Sequence, residues 1–401
     1  MRVEHLDLED FRNYRSAGTE LSGGVNLVVG RNAQGKTNLL EAVHCLSGMG
    51  SPRAADSALV REGTERALLH ARVGRGDRRL DVDMEFRLGR GMRALINKTP
   101  VSGSRALGAL TASVFFGPDE LSLIKGSPEG RRRFLDDLVV KLRPAREGLR
   151  REWERVLRQR NALLKSAPRG ARSASLPTLE VWDESLCRVG AELAAARLEV
   201  LGSLLPYALK RYEAIAGVGR LDLAYISSWI DPDFCVTALR DPSAVEAKAL
   251  VRMLTSGLDK IRSRELERGM SLVGPQRDDV GVLLQAAADS LTMLDARTYA
   301  SQGDQRTSAL ALKLAEHDLL SERLDEQPLL LLDDVFSELD PSRRRWLGDA
   351  VRSLGQTLVS SAEPGVAEAI RPDKVIEIAG GEVVRTEGTD GPDRGGWEPD
   401  G

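Results

Sequence analysis

The rhythm of apolar and polar positions changes three times along the chain. Near the N-terminus Val3, Leu6 and Leu8 are interleaved with polar residues, which predicts an edge-type strand. The run VNLVVG, Val25 to Gly30, is apolar and ends in glycine, as a buried strand feeding a turn would. Thr37 to Gly48 is helical by composition and spacing. Between Arg66 and Ile96, short alternating runs such as LDVDMEFRL predict antiparallel strands joined by Gly-rich turns. TASVFFGPDE reads as another buried strand, closed by Gly-Pro.

From about Glu129 the spacing becomes helical. Leu135, Leu138, Val139 and Leu142 share one stripe, and Trp153, Val156, Leu157, Leu163 and Leu164 another. A loop is expected from Ala167 to Pro177, then helices over Thr178 to Ala214 and Ser243 to Glu267. Antiparallel helices satisfy these patterns. No heptad is sustained long enough for an extended coiled coil. Strands return near Leu272, LALKLAEHDLL is helical, and Pro328 to Leu332, TLVSS and VIEIAGGEVV read as strands. This order predicts one α/β domain built from both chain ends, residues 1–128 and 269–385, with an antiparallel helical domain inserted at 129–268. The Gly-, Asp- and Pro-rich stretch at 386–401 reads as a disordered tail.

Composition narrows the class. The 401 residues are 42% apolar and only 4% aromatic, so the core must rest on Leu, Val and Ala. The formal net charge is −3, and any nucleic-acid contact must come from local clusters. Cys45, Cys187 and Cys235 are scattered, and the four histidines lack ligand spacing, so neither a zinc site nor a disulfide framework is implied. The start MRVEHLDLEDFRNY has no apolar leader core, and nowhere do about 18 uncharged apolar residues run together. The expected compartment is the cytoplasm, without a membrane.

The chemistry concentrates at three places. GRNAQGKT fits G-x-x-x-x-G-K-S/T between a strand and a helix. Gly30 and Gly35 let the backbone curl so that N–H groups and a helix N-terminus cradle phosphates. Lys36 reaches the β and γ phosphates, and the Thr37 hydroxyl ligates Mg²⁺. The expected ATP contacts are Gly30, Arg31, Asn32, Ala33, Gln34, Gly35, Lys36, Thr37 and Asn38.

LLLLDDVFSELD, Leu329 to Asp340, is an apolar strand ending in two carboxylates. Unpaired carboxylates are costly to bury, so Asp333 is expected to hold the metal and Asp334 to act as general base on the attacking water. The alternative is a strand end whose acids face solvent or cap the next helix. In ASQGDQRTSALALKLAE, Ser301 and Gly303 precede an apolar helix. A hydroxyl, a small backbone and a helix N-terminus make an anion site, expected to cap the γ-phosphate held by a partner subunit. An ordinary serine N-cap is the alternative. Arg131 to Arg133, Arg150, Arg151, Arg155 and Arg158, and Arg343 to Arg345 form basic clusters. Each suits DNA phosphates or a solvated helix face.

With these residues in hand, the chain resembles the ABC-type ATPases of the SMC and Rad50 group, on its bacterial recombination and gap-repair branch. The resemblance rests on DFRNY, GRNAQGKTNLLEA, FFGPDELSLIKGSPEGRRRFLD, GPQRDD, SQGDQR, LALKLAE and LLDDVFSELD. It implies that Gly30 to Thr37 are the Walker A loop and that Asp333 and Asp334 are the Walker B pair, with catalysis carried by Asp334 and Lys36. Ser301, Gln302, Gly303 and Asp304 correspond to the signature read in trans, and Ser337 to Asp340 to the D-loop. It further implies ATP and Mg²⁺ as cofactors and a weak DNA-stimulated ATPase. An ATP-bridged homodimer on double-stranded or gapped DNA is implied, with RecR and RecO as partners and RecA loading and SOS induction as outcomes.

Three departures stand out: Gln276 where the family often has His, only Ser360 or Ser361 at the switch position, and no Gln after the FFGPDE strand. Slow hydrolysis fits these losses. The rivals are a transporter ATPase subunit, a coiled-coil tether and a metabolic P-loop kinase. The first predicts a shorter insertion, the second hundreds more residues, and the third no signature.

Overall fold

The computed structural model describes residues 1–101, 103–166, 177–286, 290–363 and 365–388. Its strands are β1 (Arg2–Phe11), β2 (Tyr14–Glu20), β3 (Val25–Val29), β4 (Arg66–Arg75), β5 (Arg78–Arg87), β6 (Gly91–Ile96), β7 (Thr99–Val101), β8 (Ser113–Phe116), β9 (Leu221–Ile226), β10 (Asp279–Gln285), β11 (Met293–Asp295), β12 (Leu329–Asp333), β13 (Thr357–Ser361), β14 (Lys374–Ala379) and β15 (Glu382–Gly388). The chain divides into two compact units, Met1–Glu120 with Glu316–Gly401, and Leu121–Ala315.

The first unit holds two sheets. One is antiparallel, in the order β2-β1-β4-β5-β6-β7. The other is mixed, in the order β15-β14-β3-β13-β12-β8. Strand β1 is interior, pairing with both β2 and β4, and this corrects the edge placement. Its alternation reports one covered face, with Leu6 and Leu8 buried and Asp7 and Glu9 outside; alternation carries no information about edges. Strands β3, β12 and β13 are buried throughout, as expected for parallel strands covered on both faces. The two sheets share one core, in which Val3, Leu6, Phe11 and Phe86 of the first join Val28, Leu331 and Leu358 of the second.

Parallel register places the site. Val359 of β13 faces Leu27 of β3, and Ser360 faces Asp333 of β12. The C-terminal ends of β3, β13 and β12 therefore share one edge, where open α/β sheets place ligands.

The second unit is mainly helical, with long helices at Pro128–Leu142, Glu147–Ser166, Pro177–Ala216 and Ala247–Arg268. It also carries a small antiparallel sheet, β11-β10-β9. Because β10 pairs with β9, the stretch from Asp279 to Asp295 groups with the inserted part of the chain, although the C-terminal half was expected to begin at 269. The expected loop at Ala167 to Pro177 lies outside the described residues up to 176, and Pro177 starts a helix. Strand β15 runs to Gly388, into the stretch expected as a tail; the rest of that stretch lies outside the described residues.

Candidate nucleotide-binding site

The loop between β3 and the helix Lys36–Cys45 is held open by its own backbone and pinned from outside. Gly30 and Gly35 have φ values of 153° and 120°, and Ala33 has φ 63°, a region costly for side chains. A Cβ on Gly30 would meet the Ile378 carbonyl oxygen at 2.3 Å. At the start of β2, the Tyr14 hydroxyl donates to the Gly35 carbonyl at 2.9 Å, and in the β1–β2 turn Asn13 Nδ2 donates to the Gln34 carbonyl at 2.8 Å. From the β14–β15 turn, Gly381 N–H donates to the Gln34 carbonyl at 3.1 Å and Gly380 N–H to Gln34 Oε1 at 2.5 Å. Behind the loop, Arg12 makes two 2.7 Å hydrogen bonds to the fully buried Glu41 of the same helix. Burial works against the Glu41 charge, but hydrogen bonds from Arg12 and Ser51 outweigh it, and its carboxyl titrates below the ordinary range.

Lys36 is buried, and its Nζ donates to the Gly30 and Arg31 carbonyls at 2.7 and 3.0 Å. Burial lowers its pKa, while Asp334 and Asp333 pull the other way. Thr37 Oγ1 donates to Asp333 Oδ1 at 2.7 Å. Residues 296 positions apart in sequence thus meet within one hydrogen bond.

Between the loop and the acidic strand stands β13. Ser360 Oγ donates to Asp333 Oδ1 at 2.6 Å and accepts from the Asp334 N–H at 3.0 Å. Asp334 sits at φ 52°, where acidic and amide side chains are among the few tolerated. Its Oδ1 is buried and takes no hydrogen bond from any described protein group. Burial pushes its carboxyl above the ordinary range, and the neighbouring Asp333 adds to that, against the pull of Lys36.

A divalent cation can be tested against these donors. The Thr37 hydroxyl, the Asp333 carboxylate and the unpartnered Asp334 oxygen are hard oxygen ligands, the type Mg²⁺ prefers. No group of three or more His, Cys, Asp or Glu among the described residues could hold a metal by itself.

Arg31, Asn32 and Ala33 are exposed on the loop. Asn38 Nδ2 donates to Asn13 Oδ1 at 2.8 Å. Asp340 caps the helix Pro341–Val351, accepting from the Ser342 and Arg343 N–H groups, and its carboxyl is lowered to about 2, chiefly by the Ser342 hydroxyl. Ser301, Gln302 and Gly303 belong to the second unit, at the start of the helix Gln302–Leu324. There the Asp304 N–H donates to Ser301 Oγ at 3.2 Å. Gln276 Nε2 donates to the Val273 carbonyl at 3.0 Å.

Arg131 corrects an expectation. It is 5% exposed, and its guanidinium grips Asp279 at 2.7 and 2.9 Å and the Gly126 carbonyl at 2.9 Å, so it is not presented to DNA. Arg132 donates to the Asp278 carbonyl at 2.8 Å. Arg133 is exposed, 3.9 Å from Asp137. The loop-pinning Asn13, Gly380 and Gly381 carry no role that the sequence assigns, and the bridging Ser360 is named there only at the switch position. DFRNY held the signal for Asn13 and Tyr14.

The fold and this site define an ABC-type ATPase of the SMC class. The RecF/RecN/SMC N-terminal domain family matches residues 2–383. A DNA replication and repair protein RecF from Beutenbergia cavernae is 43% identical, covering 96% of this chain and all of the relative. One from Streptomyces avermitilis is 44% identical over 92% of this chain and 97% of its own. A solved structure of the recombination mediator protein RecF-ATP in the RecFOR pathway has TM-score 0.82 and 27% identity, covering 96% of this chain and 97% of that one. An SMC head bound to ScpA matches with TM-score 0.56 at 14% identity, a likeness of fold alone. The chain belongs to the RecF family. Among the described residues no helix is long and apolar enough to cross a membrane.

Proposed function

We propose that the chain is an ATP-dependent DNA clamp of recombinational repair, with slow, DNA-stimulated hydrolysis as its switch. The observation that carries this reading is the meeting of Thr37 with Asp333 at 2.7 Å, beside Lys36 and Asp334. A structure of a RecF-ATP relative with TM-score 0.82 supports it.

In this reading the N–H groups from Gly30 to Asn38 and the Lys36 ammonium bind the triphosphate. Lys36 releases the Gly30 and Arg31 carbonyls to do so. Thr37 and Asp333 would hold Mg²⁺, which neutralises phosphate charge when bound. Asp334 accepts a proton from the attacking water through its free oxygen, and its raised pKa suits that task. Ser360 keeps Asp333 and the Asp334 backbone in place. Ser301, Gln302 and Gly303 of one copy contact the nucleotide of a second copy, and Asp340 lines the same junction. The ATP-bridged dimer closes on duplex DNA beside single-strand gaps, with Arg132 and Arg133 near the phosphates. RecR with RecO, RecA loading and SOS induction in the cytoplasm complete the proposal. So does the division of labour between an ATPase body from both chain ends and an inserted lever arm.

Lys36→Ala is expected to abolish nucleotide-driven dimerisation; unchanged dimerisation by light scattering would reject the reading. Ser301→Arg should keep ATP binding and block closure. A variant that still dimerises with ATP would show that the signature does not act in trans.

A further inference from the structure

By sequence the basic run Arg343 to Arg345 suits either DNA phosphates or a solvated helix face, but its middle member is committed elsewhere. Arg344 Nε donates to the Leu339 carbonyl at 2.9 Å, and one terminal nitrogen donates to the Ser337 carbonyl at 3.3 Å. The other terminal nitrogen donates to Glu363 Oε2 at 2.9 Å. All three guanidinium nitrogens therefore have partners within the chain. Two hold the backbone of the segment Ser337–Asp340, and the third ties it to the loop after β13. That loop is itself anchored, because the Glu363 N–H donates to Ser361 Oγ at 3.0 Å. The same segment is tied to the acidic pair, since Ser337 Oγ donates to the Asp334 carbonyl at 2.7 Å.

We infer that Arg344 is a positioning residue that, with Glu363, fixes the shape of the Ser337–Asp340 segment and couples it to the Asp333–Asp334 pair. The inference rests on the proposed function in one respect, that this segment meets a second copy of the chain. A planar guanidinium suits the role because its fork fills two carbonyls and a carboxylate at once. Two consequences follow. A segment fixed before dimerisation needs no ordering when the second copy arrives. Any strain placed on it by the second copy reaches Ser337 and, through its hydroxyl, the backbone of Asp334.

The experiment uses the full-length chain carrying Arg344→Gln or Glu363→Gln, the second variant opening the clamp without removing the arginine. Affinity for a fluorescent ATP analogue should stay within about twofold of wild type, because no phosphate-loop contact is lost. Nucleotide-driven dimerisation and ATP turnover should each fall about tenfold. The double variant should be no worse than Arg344→Gln alone, as residues acting as one unit are not additive. The salt slope of DNA binding without nucleotide should be unchanged. Wild-type dimerisation and turnover in Arg344→Gln, with a salt slope reduced by about one, would overturn the inference and make Arg344 a phosphate contact. If wild type itself fails to dimerise with ATP, the proposed function fails and hydrogen exchange decides the clamp. Faster exchange across Ser337–Asp340 in both variants would uphold it, and unchanged exchange would overturn it.

Discussion

In the Leu121–Ala315 unit Arg160 is fully buried and each of its guanidinium nitrogens has a partner, whereas at the phosphate loop Asp334 keeps a buried oxygen with none. Arg160 donates to Asp183 at 2.6 Å, Ser271 at 2.7 Å and Glu265 at 2.6 Å. Glu265 accepts in turn from the Leu272 N–H at 2.6 Å. Arg197 is treated alike, bound to both Asp136 oxygens and to the Pro275 carbonyl. At the nucleotide site the chain leaves Asp334 at a left-handed φ with one oxygen uncommitted, and holds the Lys36 ammonium with carbonyls alone. Both regions bury charge at a desolvation cost. Arg160 and Arg197 meet that cost with carboxylate partners, whereas one buried oxygen of Asp334 takes no hydrogen bond, so the first builds structure and the second suits a ligand.

The comparison can be broken by removing one charge from each region. Arg160→Ala strands the fully buried Glu265 carboxylate, and should lower stability by about 3–5 kcal/mol in urea unfolding. A loss below about 1 kcal/mol would show that the network is not structural. Asp334→Asn should do the reverse. Asparagine tolerates the left-handed backbone, and the change removes a buried charge, so stability should hold or rise by about 1 kcal/mol. ATP turnover should fall about 100-fold or more. Destabilisation by that variant would mean that Asp334 is a structural acid like Glu265.

A smaller effect sharpens the contrast. Asp278 lies in the second unit and accepts from the Tyr225 hydroxyl at 2.8 Å and from Trp229 Nε1 at 3.0 Å. Burial nevertheless pushes its carboxyl up to about 6. The unfolded carboxyl titrates near 3.9, so the folded chain binds more protons than the unfolded chain between about pH 4 and 6. Stability therefore falls as pH rises through that window. Asp278→Asn should remove this slope, which is below about 1.4 kcal/mol per pH unit. An unchanged slope in urea unfolding at pH 4.5 and 6 would assign it to other groups.

What the sequence made legible was chemistry that is local to a few residues. GRNAQGKT and the Asp pair could be read because strand, glycine turn and helix lie side by side in the chain, and because no packing reason puts two acids at the end of an all-leucine strand. The pins on the loop were not legible in the same way. Gly380 acts on Gln34 from 346 positions away, Gly381 joins it, and nothing in a β14–β15 turn announces its target. Arg131 misled for the same reason, since its partner Asp279 lies 148 positions on and a run of three arginines looks solvated from sequence alone. Strand β9 carried its alternation in LDLAYI, with Leu221, Leu223 and Tyr225 buried, but the long helices on either side drew the reading. Ser360 was considered only as a substitute for a missing histidine. Its bond to Asp333 depends on β13 lying between β3 and β12, a fact of sheet order.

The most direct test of the central claim is a double-mutant cycle on Mg²⁺-dependent ATP affinity using Thr37→Ala, Asp333→Ala and both together. If the two chain ends form one site, either single variant should lose most of the Mg²⁺-dependent affinity and the pair should lose little more, a coupling above about 1 kcal/mol. Losses that add within about 0.5 kcal/mol would mean that the two residues do not serve one ion, and would contradict the account.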